Sequence, residues 1–162
     1  MIDVDHEDGI LRTFILFVQT AREVMKYADA HLHRTSGLSI IQLIVLKALA
    51  SNNGGMRPSE IAEWTQTERH NITALTGRMR QEGLITVERN TSNKRFVDVT
   101  LTDKGHEVLS QAMPVAKEVV EQVMLSIAEG DAALLEKPLS VLRQNAHRGL
   151  EGLANHPQPH LR

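Results

Sequence analysis

Between Arg69 and Arg95 the chain carries six cations, Arg69, Arg78, Arg80, Arg89, Lys94 and Arg95, against two acids, Glu82 and Glu88. The local balance is +4, inside a chain whose formal net charge is -2. Positive charge gathered in one stretch suits a polyanionic partner, although charge runs are also common on solvated faces. The same stretch has a second property. Wound as a helix at about 100° per residue, Ile72, Leu75, Thr76 and Met79 fall together, and His70, Ala74, Gly77 and Gln81 lie opposite, flanked by Asn71, Thr73 and Arg78. Small residues allow close approach to a groove. Asn, Arg and Gln can make paired hydrogen bonds to base edges, and Thr can contact a phosphate or a base methyl. This is chemistry for a major groove; the competing reading is a solvent face that binds nothing.

Other chemistries find no footing. The chain has no cysteine, which removes disulfides, thiolate catalysis and thiol redox sensing, and fits a reducing compartment. Of eight histidines, His31 and His33 are two residues apart and poorly placed to share a helix face, while His6, His106, His147, His156 and His160 are scattered. There is no His-Glu-any-any-His signature, so neither a metal nor another cofactor is expected. A phosphate loop, a nucleophile elbow, a dinucleotide fingerprint and a Ser-His-Asp arrangement are all missing, and the expectation is a protein that is not an enzyme.

The elements that must position the cationic stretch follow from periodicity. At 162 residues, 41% hydrophobic and 23% charged, the chain has the composition of an ordinary soluble protein with one substantial core. Helical spacing of Ile10, Leu11, Phe14, Ile15, Phe17, Val18, Ala21, Val24, Met25 and Ala28 predicts a first helix from about Glu7 to His33. Thr35-Ser36-Gly37 interrupts it, and Ser39 can cap a second helix, Ile40 to about Ala50, with Ile41, Ile44, Val45 and Leu49 as core positions. Pro58 fits the first turn of a short helix ending near Trp64 or Thr65, with Ile61 and Ala62 turned inward. Thr67 can cap the next helix, Glu68 to about Glu82, which Gly83 ends. Two short helices about three residues apart make a helix-turn-helix pattern.

Leu84 to Glu88 and Phe96 to Leu101 then alternate as a hairpin, with Ile85, Val87, Val97, Val99 and Leu101 on one face and Phe96 on the other. Thr102 can cap a long helix from Asp103 whose Val108, Ala112, Ala116, Val119, Val120, Val123 and Ile127 form a broad apolar surface, kinked or divided at Pro114. Glu129-Gly130-Asp131 is expected to break the chain before a last helix, Ala132 to about Leu153, interrupted or begun anew at Pro138. The fold class expected is mainly α (α+β). Residues 1–50 read as an N-terminal dimerisation helix and a supporting helix, 54–102 as a DNA-binding module, 103–154 as C-terminal dimerisation helices and 155–162 as a flexible tail. The outer helices carry more apolar surface than the small central module can cover, which points to a second copy; the alternative is that they cover one another in a monomer. The segment from Met1 to Gly9 holds Asp3, Asp5, Glu7 and Asp8 rather than a signal sequence, and no run reaches the roughly 18 apolar residues of a bilayer span. A cytoplasmic protein without a membrane partner is expected.

The ordered motifs resemble the MarR family of winged helix-turn-helix regulators. Ser59-Glu60-Ile61-Ala62 is similar to the start of the family's first motif helix. Asn71-Ile72-Thr73 through Met79-Arg80-Gln81-Glu82-Gly83-Leu84-Ile85 is similar to its recognition helix and the start of its wing. Asn93-Lys94-Arg95, followed by Val99, Leu101, Thr102 and Gly105, matches the family's wing pattern of Asp, any residue, Arg, then Val, any residue, Leu-Thr and Gly. The usual wing acid is Asn93 here, so a carboxylate that could hold the wing arginine is missing.

The resemblance spans residues 57 to 105. It implies a homodimer with interlocking first and last helices, whose recognition helices enter successive major grooves of double-stranded DNA about 34 Å apart while the wings reach adjacent minor grooves. Arg69, His70, Asn71, Thr73 and Arg78 become the expected contacts of the recognition helix, and Lys94 and Arg95 those of the wing. A small aromatic or phenolic effector is also implied, for which Phe14, Phe17, Met25 and Trp64 could line a cleft if they are not ordinary core residues. The alternatives are a dimeric protein-interaction module on the same fold, without sequence-specific DNA binding, and a metal-responsive regulator.

Overall fold

The computed structural model of the protein describes residues 9–52, 55–89 and 97–155. The chain forms two compact units, Met1–Val123 and Met124–Arg162. In the first, helices α1 (Gly9–Ser36), α2 (Ile40–Ser51), α3 (Pro58–Thr65) and α4 (Arg69–Gln81) precede an antiparallel hairpin, β1 (Ile85–Arg89) and β2 (Val97–Leu101), and then α5 (Asp103–Val123). The second unit contains α6 (Glu129–Asn155). This is the expected mainly α architecture with a β-hairpin wing.

The core of the first unit is built around α2, which packs against α1, α3, α5 and β2. Because neighbours surround it, α2 buries Leu43, Val45, Leu46, Ala48 and Leu49, while Ile41 and Ile44, expected in the core, are only partly buried. Nearly every residue of this helix is apolar, so spacing could not choose its inner face. Leu32, Leu38, Met56, Ile61, Ile72, Leu75, Met79, Ile85, Val99 and Leu109 close the same core. Ser39 caps α2 as expected, and Gln42 completes a capping box with it.

Several boundaries differ from expectation. Helix α1 runs through Thr35 and Ser36, whose hydroxyls donate to the carbonyls of His31 and Leu32, each at 2.9 Å. Such back-bonding lets polar residues complete a helical turn, and the helix ends where Gly37 turns to φ 72°. Pro114 and Pro138 lie inside the continuous helices α5 and α6 and divide neither. Both prolines are exposed, so the carbonyl each leaves without its helical partner can bond to water. The break between these helices falls at Met124–Ala128, with Ser126 at φ 67°, and Glu129 opens α6. Glu129 and Asp131 in the first turn favour the positive helix end there, where the sequence reading had placed the break.

The hairpin pairs Ile85 with Leu101, Val87 with Val99 and Arg89 with Val97, so the alternating apolar residues share a face. On the other face the Thr86 and Thr100 hydroxyls lie 2.6 Å apart. Met56 and Val99 exchange two backbone hydrogen bonds of 3.0 and 2.9 Å, fastening the segment before α3 to β2.

Candidate nucleic-acid interface

The turn between α3 and α4 is built by the backbone. Gln66 adopts a left-handed conformation, φ 53° and ψ 39°, and its N–H bonds to the Glu63 carbonyl while the Thr67 N–H bonds to the Ala62 carbonyl at 2.9 Å. These are the paired bonds of a Schellman ending. They correct the expectation that Thr67 caps α4. Thr67 is committed to closing α3, its hydroxyl donates to the Thr65 carbonyl at 3.3 Å, and Glu68 holds the N-cap position of α4 without a side-chain cap bond.

Helix α4 divides as its sequence predicts. Ile72, Leu75, Thr76 and Met79 are its buried residues, and the Thr76 hydroxyl is satisfied by the Ile72 carbonyl at 2.8 Å. Arg69, His70, Asn71, Thr73, Ala74, Arg78, Arg80 and Gln81 are exposed. Four buried residues at helical spacing fix the rotation of α4 about its axis, so a row of small, polar and cationic side chains must face outward. Gly83 then ends the helix at φ 72°, with the Leu84 N–H bonded to the Met79 carbonyl at 2.9 Å.

The exposed groups differ in what they can offer. Asn71 and Arg78 present amide and guanidinium groups suited to paired contacts. The Thr73 hydroxyl donates to the Arg69 carbonyl at 3.0 Å, leaving its methyl and an oxygen lone pair outward. His70 Nδ1 lies 3.6 Å from Glu68 Oε2, an ion pair when the imidazole is protonated.

At the start of α3, Glu60 accepts the Arg57 backbone N–H at 2.8 Å through Oε2 and the Arg57 Nε–H at 2.9 Å through Oε1. The guanidinium bonds, and then the backbone bond, hold the Glu60 carboxyl below its usual range, and the same pairing raises Arg57.

Residues 36–95 match the model of the MarR family. The transcriptional repressor MdtR of Bacillus subtilis is 30% identical over 121 residues, which cover 70% of this chain and 77% of that one. The chain belongs to the MarR family. Among solved structures, the DNA complex of the Mycobacterium tuberculosis regulator MOSR superposes with a TM-score of 0.73 at 26% identity, covering 87% of this chain and 98% of that one. An organohalide-sensing regulator, RdhR, solved with 2,4-dichlorophenol, has a TM-score of 0.78 at 23% identity, with 90% and 88% covered. This MarR-family chain is thus a winged helix-turn-helix, DNA-binding transcriptional regulator, and such regulators are not enzymes.

In this MarR-family chain Arg69, His70, Asn71, Thr73 and Arg78 all lie exposed on α4. Asn93, Lys94, Arg95 and Phe96 lie outside the described residues. Phe14, Phe17, Met25 and Trp64 are 56%, 37%, 48% and 49% exposed, the first three on α1 and Trp64 on α3, so none is a core residue. Among the described residues no group of three His, Asp or Glu side chains is placed to hold a metal ion, and no helix is long and apolar enough to cross a membrane.

The sequence reading missed the Arg57–Glu60 pair and the bond from Gln42 Nε2 to Glu82 Oε2. An Arg and a Glu three apart at a helix start were the available signal for the first; the second joins residues 40 apart and had none.

Proposed function

We propose that the chain is a homodimeric repressor that reads a pseudopalindromic operator with α4 and is released from it by a small aromatic or phenolic effector. The observation that carries the reading is the division of α4: Ile72, Leu75, Thr76 and Met79 are buried, which leaves Arg69, Asn71, Thr73, Ala74 and Arg78 exposed around the rest of the helix. In this reading Asn71 and Arg78 contact base edges, the Thr73 methyl meets a thymine methyl, Arg69 and His70 contact phosphates, and Lys94 and Arg95 carry the wing's contacts.

Dimerisation is supported by apolar side chains for which the chain's own core has no use. Ile10 is 84% exposed and Phe14, Leu16, Phe17 and Val18 follow it on α1, while α6 separately exposes Leu134, Leu135, Leu139, Leu150 and Leu153. Apolar area on this scale marks a protein–protein surface. In this reading residues 1–50 supply a dimerisation helix and the helix that supports it, 103–154 the C-terminal dimerisation helices, and 54–102 the DNA module. The effector class is supported by the exposed Phe14, Phe17, Met25 and Trp64, and by the dichlorophenol bound to the organohalide-sensing regulator. The site of action is the cytoplasm, where operator DNA is met.

Selection from random duplexes at fixed salt tests the reading. One enriched palindrome, bound by two chains, is the expected result; weak binding to every sequence, with affinity set by salt alone, would instead support a winged-helix interaction module.

A further inference from the structure

Gln42 does two jobs with one amide. Its Oε1 accepts the Ser39 N–H at 2.8 Å, and Ser39 Oγ accepts the Gln42 N–H at 3.3 Å, closing the first turn of α2. Its Nε2 donates to Glu82 Oε2 at 2.9 Å. Glu82 is the residue on which α4 ends: its N–H bonds to the Arg78 carbonyl at 2.9 Å, and its own carbonyl accepts Lys104 Nζ at 2.7 Å. The same turn of α2 is held from the other side, where the Ile40 N–H donates to Asp29 Oδ1 of α1 at 2.7 Å. A continuous set of hydrogen bonds therefore runs from α1 through the start of α2 to the end of α4.

The lever arm gives this arrangement its consequence. Asn71 lies about 16 Å along the helix axis from Glu82, at roughly 1.5 Å per residue. A swing of only about 5° pivoting near Glu82 would move Asn71 by more than about 1 Å, twice the roughly 0.5 Å range of good hydrogen-bond lengths. Loss of the hold on Glu82 thus threatens base contacts at the far end of the helix to the extent that its buried face, Ile72 included, yields with it.

We propose that Gln42 is a positioning residue for DNA reading, fixing the angle of α4 against α1 and α2 through Glu82. The proposal rests on α4 being the DNA-reading helix.

Gln42→Glu separates the two jobs. Glutamate still accepts the Ser39 N–H, because Glu and Gln serve alike at this position of a capping box, but it sets a carboxylate against Glu82 in place of a donor. The double variant Q42E/E82Q restores a donor and an acceptor in reversed order. Three quantities are measured: the thermal midpoint, amide exchange in the last turn of α4 without DNA, and the affinity ratio between the selected operator and a scrambled duplex at one salt concentration.

Q42E is expected to keep its midpoint, to exchange faster in that last turn, and to lose about three- to ten-fold in the ratio, with the double variant recovering both. Unchanged exchange in Q42E overturns the tether whether or not DNA is bound. Faster exchange with an unchanged ratio overturns the positioning role, and so does a double variant that recovers neither. A wild-type protein without operator preference defeats the DNA reading itself, and with it the positioning role, while exchange still decides whether the tether exists.

Discussion

The Thr102 hydroxyl donates to the Gly83 carbonyl at 2.7 Å and at the same time accepts the Gly105 N–H at 3.0 Å. One side chain therefore caps α5 and holds the chain where it leaves α4, joining the two ends of the wing. Thr102→Val keeps the shape and removes both bonds. It is expected to cost about 1–2 kcal/mol in urea unfolding, the usual range for a lost cap with a second bond left unmade. A cost near zero would show that water replaces the hydroxyl at both partners.

Gly105 is needed for space. A Cβ there would stand 2.1 Å from the Leu84 carbonyl oxygen and 3.2 Å from the Leu101 side chain, and the oxygen belongs to a backbone that cannot rotate aside. Gly105→Ala is expected to destabilise by about 1–3 kcal/mol through overpacking, and to weaken DNA binding because the start of β1 must shift. Equilibrium unfolding checks the first effect and a binding isotherm the second.

These two positions show what the sequence could and could not disclose. The inward set of α4, the hairpin face and the Ser39 and Thr102 caps were legible because each follows from a local period or a cap residue adjoining a periodic run. Thr67 was misread because the left-handed Gln66 draws it into the end of α3, a backbone choice that a non-glycine residue does not advertise. Leu43 and Leu46 were missed because α2 is apolar at nearly every position, so only its neighbours decide which residues are sealed. The bond from Gln42 to Glu82 joins residues 40 apart and had no local pattern to reveal it. The cationic, small-residue face of α4 was visible as a candidate site, whereas its supports lay in other elements.

The Arg57–Glu60 pair makes stability depend on pH in one direction. The folded carboxyl is held below the ordinary glutamate value of about 4.3, so its contribution is fully present above that value. It is lost as pH falls through the lower folded value. The Glu60 side chain is 40% exposed, so solvent screens the pair and the effect is small. Glu60→Gln is expected to lower the thermal midpoint at pH 7, with the gap to wild type closing below about pH 4 and shrinking in high salt. A gap that is constant from neutral to acid pH would locate the effect elsewhere than in the charge.

Phe14 tests the dimer. It is 56% exposed on α1 and contributes nothing to the chain's own core, so Phe14→Glu should leave the fold intact. In the proposed dimer a charge on this apolar face is costly, and the variant is expected to sediment as a monomer at micromolar concentration. Operator binding should fall with it, since each chain then engages one half-site without its partner. A dimer of unchanged strength would move the interface off this face.

The roles proposed for Asn71 and Arg95 separate reading from attraction. Asn71 is exposed one residue before the buried Ile72, which fixes the helix and so limits the bases its amide can reach. Asn71→Ala is expected to relax preference at one symmetric pair of positions, costing about 1–3 kcal/mol against the preferred base and little against others. In the proposed reading Arg95, the wing cation of the sequence motif, acts chiefly by charge. Its replacement by Ala should weaken binding to all duplexes alike and reduce the salt slope by about one ion per chain. Selection with each variant at two salt concentrations distinguishes the roles. If Asn71→Ala leaves the selected sequence unaltered while Arg95→Ala changes it, base reading lies in the wing rather than in α4.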